Sequence, residues 1–347
     1  MADTDKPLGF GVIGLGSIAG HHMKSIAELN DCKLVAISSR NESKLQNTAS
    51  QYDGVATFTD YHQLVKHPEV DVVCICTPSG SHLEPTLAAA GAGKHVITEK
   101  PLEITVERGM KMIQACEKAG VKLACIFQNR YSPDYQKLYT AVKQGVFGKP
   151  VLGNAYIKWF RDQQYYDAND WRGTLKGDGG AALINQSIHT IDLLLNSMGP
   201  VRSVFGKTKT LAHDIEGEDL GVAILEFESG ALGTIEGSTA IYGGYPERLE
   251  IHGVTGNVIL EGGKIIDWRS ETGTSLSPTA SGQTSTGSAD PMAIGYESHK
   301  EQISEIVRHI INNEEPTVNG REGLKSVALI EAIYQSARSG KQIMLNK

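Results

Sequence analysis

Lys100 and His189 are the side chains of this sequence best placed for acid–base chemistry. Lys100 lies in Thr98-Glu99-Lys100-Pro101, directly after the apolar run His95–Thr98. Pro101 fixes its own φ and biases its predecessor toward extended backbone, which holds Lys100 at a strand end. Ligands of parallel sheets bind beyond the carboxyl ends of the strands, and Lys100 stands there. Burial and a nearby positive charge would weaken its hold on its proton. His189 lies in a second cluster, Gly179 to Asp192, with Asn185 four residues before it and Asp192 three after. On a helix those three share a face. A histidine there serves as general base near neutral pH, and Asn185 can hold a substrate hydroxyl. Taken singly, Lys100 reads equally as a surface-loop lysine and His189 as a core histidine.

A further set of residues is suited to binding. Gly14-Leu15-Gly16-Ser17-Ile18-Ala19 is a G-x-G-x-x-A pattern that follows the strand Leu8–Ile13 and opens a helix over Ile18–Leu29. Gly14 permits the tight turn, Gly16 lets a pyrophosphate approach the backbone, and Ala19 lets helix and strand pack closely. The phosphates then face the N–H groups at Ser17 and Ile18 and the positive end of the helix dipole. The second strand ends in Ser38-Ser39-Arg40-Asn41, with no acid before Glu42. Two hydroxyls and a guanidinium suit a ribose 2′-phosphate, so NADP is expected over NAD. Arg40 reads equally as a solvated helix-start residue.

The elements that position these groups follow from periodicity. Strands are expected at Leu8–Ile13, Leu34–Ser38, Val70–Cys76, His95–Thr98 and Leu123–Phe127. Helices are expected at Ile18–Leu29, Glu42–Tyr52, Leu83–Ala90 and Thr105–Ala119. Alternation of this kind predicts a doubly wound parallel sheet of Rossmann type. After about Pro150 the pattern becomes strand upon strand: Val151–Phe160, Val201–Thr210, Val222–Glu228, Ala231–Thr239, Arg248–His252, Val258–Leu260 and Ile265–Trp268. Turns at Glu228-Ser229-Gly230, Thr255-Gly256-Asn257 and Glu261-Gly262-Gly263 predict antiparallel hairpins. A helix from Gly180 to about Met198 interrupts them, and two more follow at Gly295–Asn313 and Gly320–Ser339. The Ser/Thr/Gly-rich stretch Ser270–Ala289 reads as a loop or lid. The fold class is therefore α/β followed by α+β, the second part built on an open, mostly antiparallel sheet. Domain boundaries are expected at 1–128 and 129–347, with the C-terminal helices able to pack back on the first domain.

Composition sets the outer limits. The chain has 347 residues, 40% apolar and 21% charged, with a formal net charge of −7. The acidic balance without a basic block argues against nucleic acid, and no apolar run is long enough for a membrane span. The acidic, polar start Met1–Lys6 does not read as a secretory signal, so a cytoplasmic protein is expected. Five cysteines, two of them (Cys74, Cys76) in one expected strand, read as reduced core residues. His21-His22, Cys74-Ile75-Cys76 and the other histidines show no metal-ligand spacing, so no metal site is expected.

Taken together, these motifs resemble the Gfo/Idh/MocA family of sugar and cyclitol dehydrogenases over nearly the whole length. The features that carry the resemblance are the Gly14–Ala19 loop, Thr77-Pro78-Ser79 with His82, Glu99-Lys100-Pro101, the Gly179–Asp192 helix and the terminal helices. It implies that Lys100 and His189 meet at the nicotinamide–substrate junction. It also implies that Thr77, Pro78, Ser79, His82, Glu99, Lys100 and Gln128 join the Gly14 loop and Ser38–Arg40 around the cofactor. Many members have aspartate where this chain has Asn185. The variant Asn185-Gln186-Ser187-Ile188-His189, with Asp170-Trp171-Arg172-Gly173-Thr174 upstream, is similar to a branch acting on UDP-linked N-acetylglucosaminuronate. Loss of that acid would leave proton transfer to Lys100 and His189.

Arg130, Arg161, Trp171 and Arg172 suit a sugar bearing a carboxylate or phosphate, or else are solvated loop charges. With Asn185, Asp192 and Tyr296, the residues Arg130, Trp171 and Arg172 form the expected substrate contacts. Tyr296-Glu297-Ser298-His299-Lys300 spells Y-x-x-x-K, the pair of short-chain dehydrogenases, but it falls at the start of a late helix rather than inside the first domain. The expected partner is a sugar-like small molecule, and an open sheet with an apolar outer face favours a homodimer or homotetramer. Two other functions fit the same motifs. One is a hydrolase that keeps its cofactor and eliminates a glycosidic group after transient oxidation. The other is a non-catalytic NADP-binding regulator, which retention of Lys100 and His189 speaks against.

Overall fold

The computed structural model describes residues 6–271 and 295–345. Most of the expected Ser270–Ala289 lid lies outside the described residues. The chain divides into two compact units, Met1–Gln128 with Gly295–Leu324, and Asn129–Ile294 with Lys325–Lys347.

The first unit runs β1 (Leu8–Ile13), α1 (Ser17–Glu28), β2 (Cys32–Ser38), α2 (Glu42–Ala49), β3 (Ala56–Phe58), α3 (Tyr61–Leu64), β4 (Val72–Ile75), α4 (Leu83–Gly91), β5 (His95–Thr98), α5 (Val106–Ala119) and β6 (Leu123–Cys125). All pairings in its sheet are parallel, in the order β3-β2-β1-β4-β5-β6. Parallel strands are covered on both faces, which is why β4 is apolar throughout instead of alternating. β3 was not expected; its three half-buried residues are too few to show a pattern. Helix boundaries have local causes. The Asn41 side chain accepts from the Lys44 N–H to start α2, and Gly120, at φ 69°, ends α5.

The second unit runs α6 (Pro133–Lys143), β7 (Pro150–Lys158), α7 (Gln163–Asp167), a π-helical stretch Ala182–Ser187 leading into α8 (Ile188–Met198), β8 (Val201–Lys209), β9 (Leu220–Phe227), β10 (Leu232–Ser238), β11 (Arg248–Gly253), β12 (Gly256–Glu261) and β13 (Lys264–Ser270). The three expected hairpins are present, β9–β10, β11–β12 and β12–β13. One pairing, β7 with β10, is parallel; the others are antiparallel. α8 packs close on β7 at Gly153, where a Cβ would sit 2.7 Å from Met198 Cγ.

The chain then returns to the first unit. α9 (Glu297–Ile311) adds Ile303, Ile306 and Val307 to a buried core with Phe10, Val12, Met23 and Ile26. α10 (Gly320–Ser339) begins in the first unit and continues into the second, where β14 (Ile343–Met344) pairs with β8. The expected second domain is thus interrupted by residues 295–324. Among the described residues no helix is long and apolar enough to cross a membrane.

Candidate active site

In the first unit, the segments expected around a cofactor all leave the carboxyl edge of the parallel sheet. Ladder-end hydrogen bonds hold them there: Gly14 N–H to Ser38 O (2.9 Å), Cys76 N–H to Ile13 O (2.8 Å), Glu99 N–H to Ile75 O (3.0 Å) and Ile126 N–H to Thr98 O (2.9 Å). Gly14 has φ 88°, and a Cβ on it would come 2.7 Å from Cys76 O. Protein packing therefore requires glycine at 14. Gly16 is different. A Cβ there would make only an ordinary 3.8 Å contact with Cys76 O, so packing within the unit does not demand glycine. α1 also starts at Gly16 without a side-chain cap, and its first turn carries no acid. Its first N–H groups therefore remain available for an anion. A bare helix start beside a spare glycine fits a pyrophosphate, and the residues present accommodate a dinucleotide.

At the end of β2, Ser38 is buried, Ser39 half-buried and Arg40 exposed. His82 is buried, with Nδ1 facing the carbonyls of Pro101 and Leu102 (2.9 and 3.3 Å) and Nε2 facing Thr77 O (3.1 Å). It ties the Thr77–Ser79 segment to the segment carrying Lys100. Ser79 and Gln128 are also buried, each just past a strand end. Lys100 is half-buried, and its peptide bond to Pro101 is cis.

Directly before Lys100 lies a charge cluster that sequence spacing did not reveal. Glu99 Oε1 accepts from His22 Nε2 at 2.7 Å and lies 3.6 Å from His299 Nε2, while Oε2 accepts the Lys100 N–H at 3.2 Å. Both imidazoles are fully buried. Burial alone would push the Glu99 carboxyl up, but His22 and His299 hold it well below the usual carboxylate range. Burial opposes charge on His22 as well, yet the sulfurs of Cys76 and Cys74 and the Glu99 carboxylate raise it well above its ordinary value. Both shifts run in the direction that favours charge on the two partners. One ligand-type atom from each of His22, Glu99 and His299 lies within 4.8 Å of the others, a grouping that no metal-type spacing in the sequence announces. The 2.7 Å His22–Glu99 separation is that of a direct hydrogen bond.

Tyr296 and Lys300 belong to this unit too. The Tyr296 hydroxyl donates to Glu28 Oε1 (2.6 Å) and Lys300 Nζ bonds Oε2 of the same carboxylate (3.0 Å), so the Y-x-x-x-K residues tie α9 to α1. Tyr296, expected among the substrate contacts, thus sits in a different unit from the others.

In the second unit the substrate candidates separate into two groups. Arg130 and Asp192 are buried and pair bidentately with each other, Nε to Oδ2 and Nη2 to Oδ1, both at 2.7 Å. Asp192 also accepts from Ser326 Oγ at 3.3 Å. The other group surrounds Asn185. The stretch Ala182–Ser187 is π-helical rather than α-helical, which alters the face expected from i, i+4 spacing. Glu218 caps it, accepting from the N–H groups of Leu183 (2.7 Å) and Ala181 (3.3 Å) and from the Tyr334 hydroxyl (2.8 Å). Asn185 Nδ2 donates to Asp178 Oδ1 in a short hydrogen bond, and Asn185 Oδ1 accepts from Gln186 Nε2 at 2.7 Å. Gln186 Nε2 also reaches the Tyr165 hydroxyl (2.8 Å), and Gln186 Oε1 accepts from Arg161 Nη2 (2.9 Å). Burial raises the Tyr165 phenol above its ordinary value although Arg172 and Arg161 lie alongside. The Arg172 guanidinium lies 4.2 Å over the Tyr165 ring and 5.6 Å from that of Trp171. Arg172, Tyr166, Asp170, Gly173 and Asp214 help to line an open cavity of about 470 Å³. His189, half-buried, occupies the first turn of α8.

Sequence reasoning did not find Asp178, His22 or His299. The segment between Asp178 and Asn185 opens with Gly179 and Gly180, at φ 79° and 148°, where no helical period applies. Asn185 takes an acid out of this helix, and the structure sets a carboxylate, Asp178, against its amide.

Comparisons with known proteins agree with this architecture. Residues 8–127 match the model of an oxidoreductase family with an NAD-binding Rossmann fold, and residues 135–259 match the GFO/IDH/MocA C-terminal domain. The chain is 29% identical to the myo-inositol 2-dehydrogenase of Thermotoga maritima over 342 residues, covering 97% of this chain and 98% of that one. It superposes on the WlbA dehydrogenase of Bordetella pertussis, a structure in complex with NADH and UDP-GlcNAcA, with a TM-score of 0.87. Identity to that protein is 34%, with 99% of this chain and 100% of that chain covered. The chain therefore belongs to the GFO/IDH/MocA family of oxidoreductases.

Proposed function

We propose that the protein is an NAD(P)-dependent dehydrogenase that oxidises a secondary alcohol of a sugar nucleotide, with C3 of a UDP-linked N-acetylhexosaminuronate as the favoured position. The observation that carries this reading is the full-length likeness to a WlbA dehydrogenase whose structure holds NADH and UDP-GlcNAcA. The bare helix start at Gly16 supports dinucleotide binding.

Gly14, Gly16, Ser17 and Ile18 would hold the pyrophosphate, Ser38, Ser39 and Arg40 the adenosine ribose, and Thr77, Pro78, Ser79, His82, Glu99 and Gln128 the rest. When bound, the dinucleotide supplies the acceptor for the hydride leaving the carbinol carbon. Either Lys100 or His189 takes the one hydroxyl proton in oxidation and returns it in reduction. Asn185, Trp171 and Arg172 orient the substrate, Arg172 by its guanidinium toward a carboxylate or phosphate. The Arg130–Asp192 pair is read as a buried strut and Tyr296 as a link between helices. NADP is favoured over NAD: β2 ends without an acid, and among the described residues Arg40 has no ion-pair partner. A homodimer or homotetramer is favoured by Phe205, Val222, Ile224 and Leu232, which are 38–58% exposed on the outer face of the second sheet. The expected compartment is the cytoplasm.

The test is titration with NADPH and NADH by nicotinamide fluorescence, followed by turnover with UDP-linked N-acetylglucosaminuronate and a cyclitol panel. Tighter NADPH binding and reduction of NADP+ by the sugar nucleotide are expected. Tighter NADH binding would overturn the cofactor preference alone, and binding of neither would sink the dehydrogenase reading.

A further inference from the structure

Four side chains of the second unit form one directional chain of hydrogen bonds. Arg161 Nη2 donates to Gln186 Oε1 (2.9 Å), Gln186 Nε2 to Asn185 Oδ1 (2.7 Å), and Asn185 Nδ2 to Asp178 Oδ1. A guanidinium thus stands at one end, a carboxylate at the other, and two amide dipoles between them point the same way. Each donor polarises the next, which strengthens the whole in a low-dielectric setting. Asp178, Asn185 and Arg161 are each at least nine-tenths buried, at 2, 8 and 3% exposure. Asp178 is itself fixed through Oδ2, which accepts the Gly173 N–H at 3.1 Å.

An asparagine amide can be turned over with little change of shape, so its sense must be set by its neighbours. Asp178 can only accept while ionised, which forces the nitrogen of Asn185 toward it and the oxygen toward Gln186. An aspartate at 185 would place two carboxylates in contact, and such a pair must share a proton.

Resting on the dehydrogenase reading above, we propose that Asp178 is a positioning residue for the reaction. It fixes the sense of the Asn185 amide at the head of the helix carrying His189, and it dictates that position 185 carry an amide rather than an acid. The requirement is for one acid and one amide in contact, so exchanging them should be better tolerated than losing either.

The experiment is a cycle of Asp178→Asn, Asn185→Asp and the exchanged double variant. kcat and KM are measured across pH with UDP-linked N-acetylglucosaminuronate, and fold and NADPH affinity are checked in each. Each single variant should lose about tenfold or more in kcat/KM, the scale of coupling between groups in contact, and the exchange should recover most of that loss. Asn185→Asp should add an ionisation to the kcat/KM profile that the wild type and the exchange lack. NADPH affinity should stay constant, because the residues proposed to hold the cofactor lie in the other unit. A double variant no better than the product of the singles, or Asp178→Asn with wild-type kcat and KM, overturns the assignment. A coupling seen in melting temperature but not in turnover overturns it as well, since it marks a merely structural pair. A wild type that turns over neither cofactor with this sugar overturns the sugar-nucleotide reading on which the Asp178 assignment rests.

Discussion

In the first unit, the groups facing the proposed cofactor are largely main chain: Gly14 at positive φ, the N–H groups opening α1, and strand ends held by ladder bonds. In the second unit the candidate residues are joined through side chains: Asp178, Asn185, Gln186, Arg161, and Arg172 over Tyr165. A site built from backbone needs particular conformations, and glycine in fixed spacing announces them. One built from side chains needs partners brought from separate segments, so its parts can be exchanged in pairs but not singly. Lys100 and Glu99 combine both styles, being side chains presented by a strand end.

The sharpest way to separate chemistry from scaffold within the first unit is Lys100→Ala. A loss of about 10²- to 10⁴-fold in kcat is expected, with NADPH affinity and melting temperature little changed. Equal losses in cofactor affinity and rate would make Lys100 part of the binding frame instead. Glu99→Gln should act on the scaffold, because it leaves His22 buried without its counter-charge. About 3–5 kcal/mol of stability is at risk when one partner of such a pair is removed. The sign with pH follows from both partners. Glu99 is held below its ordinary 4.5, so its contribution is present above about that pH and lost as pH falls further. His22 is raised above 6.5, so its contribution is full below that value and lost as pH rises through the higher folded-state pKa. The stability gap between wild type and Glu99→Gln, read by thermal unfolding, should therefore be widest between about pH 4.5 and 6.5. A gap that stays level above about pH 6.5 would show that His22 is neutral. The smallest expected effect is at the exposed end of β2. Arg40→Ala should weaken NADPH about tenfold while sparing NADH, the loss of one charge-assisted contact to phosphate. Equal weakening of both would return Arg40 to the role of a solvated residue.

Much of the frame was legible in sequence. β1 and β5 lie where the apolar runs ended, and the turns at Ser229-Gly230 and Gly262-Gly263 form hairpins because glycine there marks tight reversal. β3 and α6 were not expected. The first is three residues long, and the second, opening at Pro133, buries only Tyr135, Leu138 and Ala141. What sequence can name of the candidate site is what one segment carries, as in Gly14–Ile18 and Ser38–Arg40. The site was illegible where segments far apart converge. His22 and Glu99 are separated by 77 positions, and Arg130 and Asp192 by 62, so no local period links them. The π-helical turn at Ala182–Ser187 was equally hidden, since an extra residue per turn leaves no mark on composition.

The return of Gly295–Leu324 to the first unit bears on how the chain is made. Ile303, Ile306 and Val307 complete the apolar layer over Phe10, Met23 and Ile26, yet synthesis reaches them only after the whole of β7 through β13. On the ribosome the leading 128 residues must wait with that layer uncovered. The pairing that closes it spans most of the chain, which makes it a late and slow step. The nascent protein therefore depends on α9, its penultimate helix, to finish the unit that emerges first.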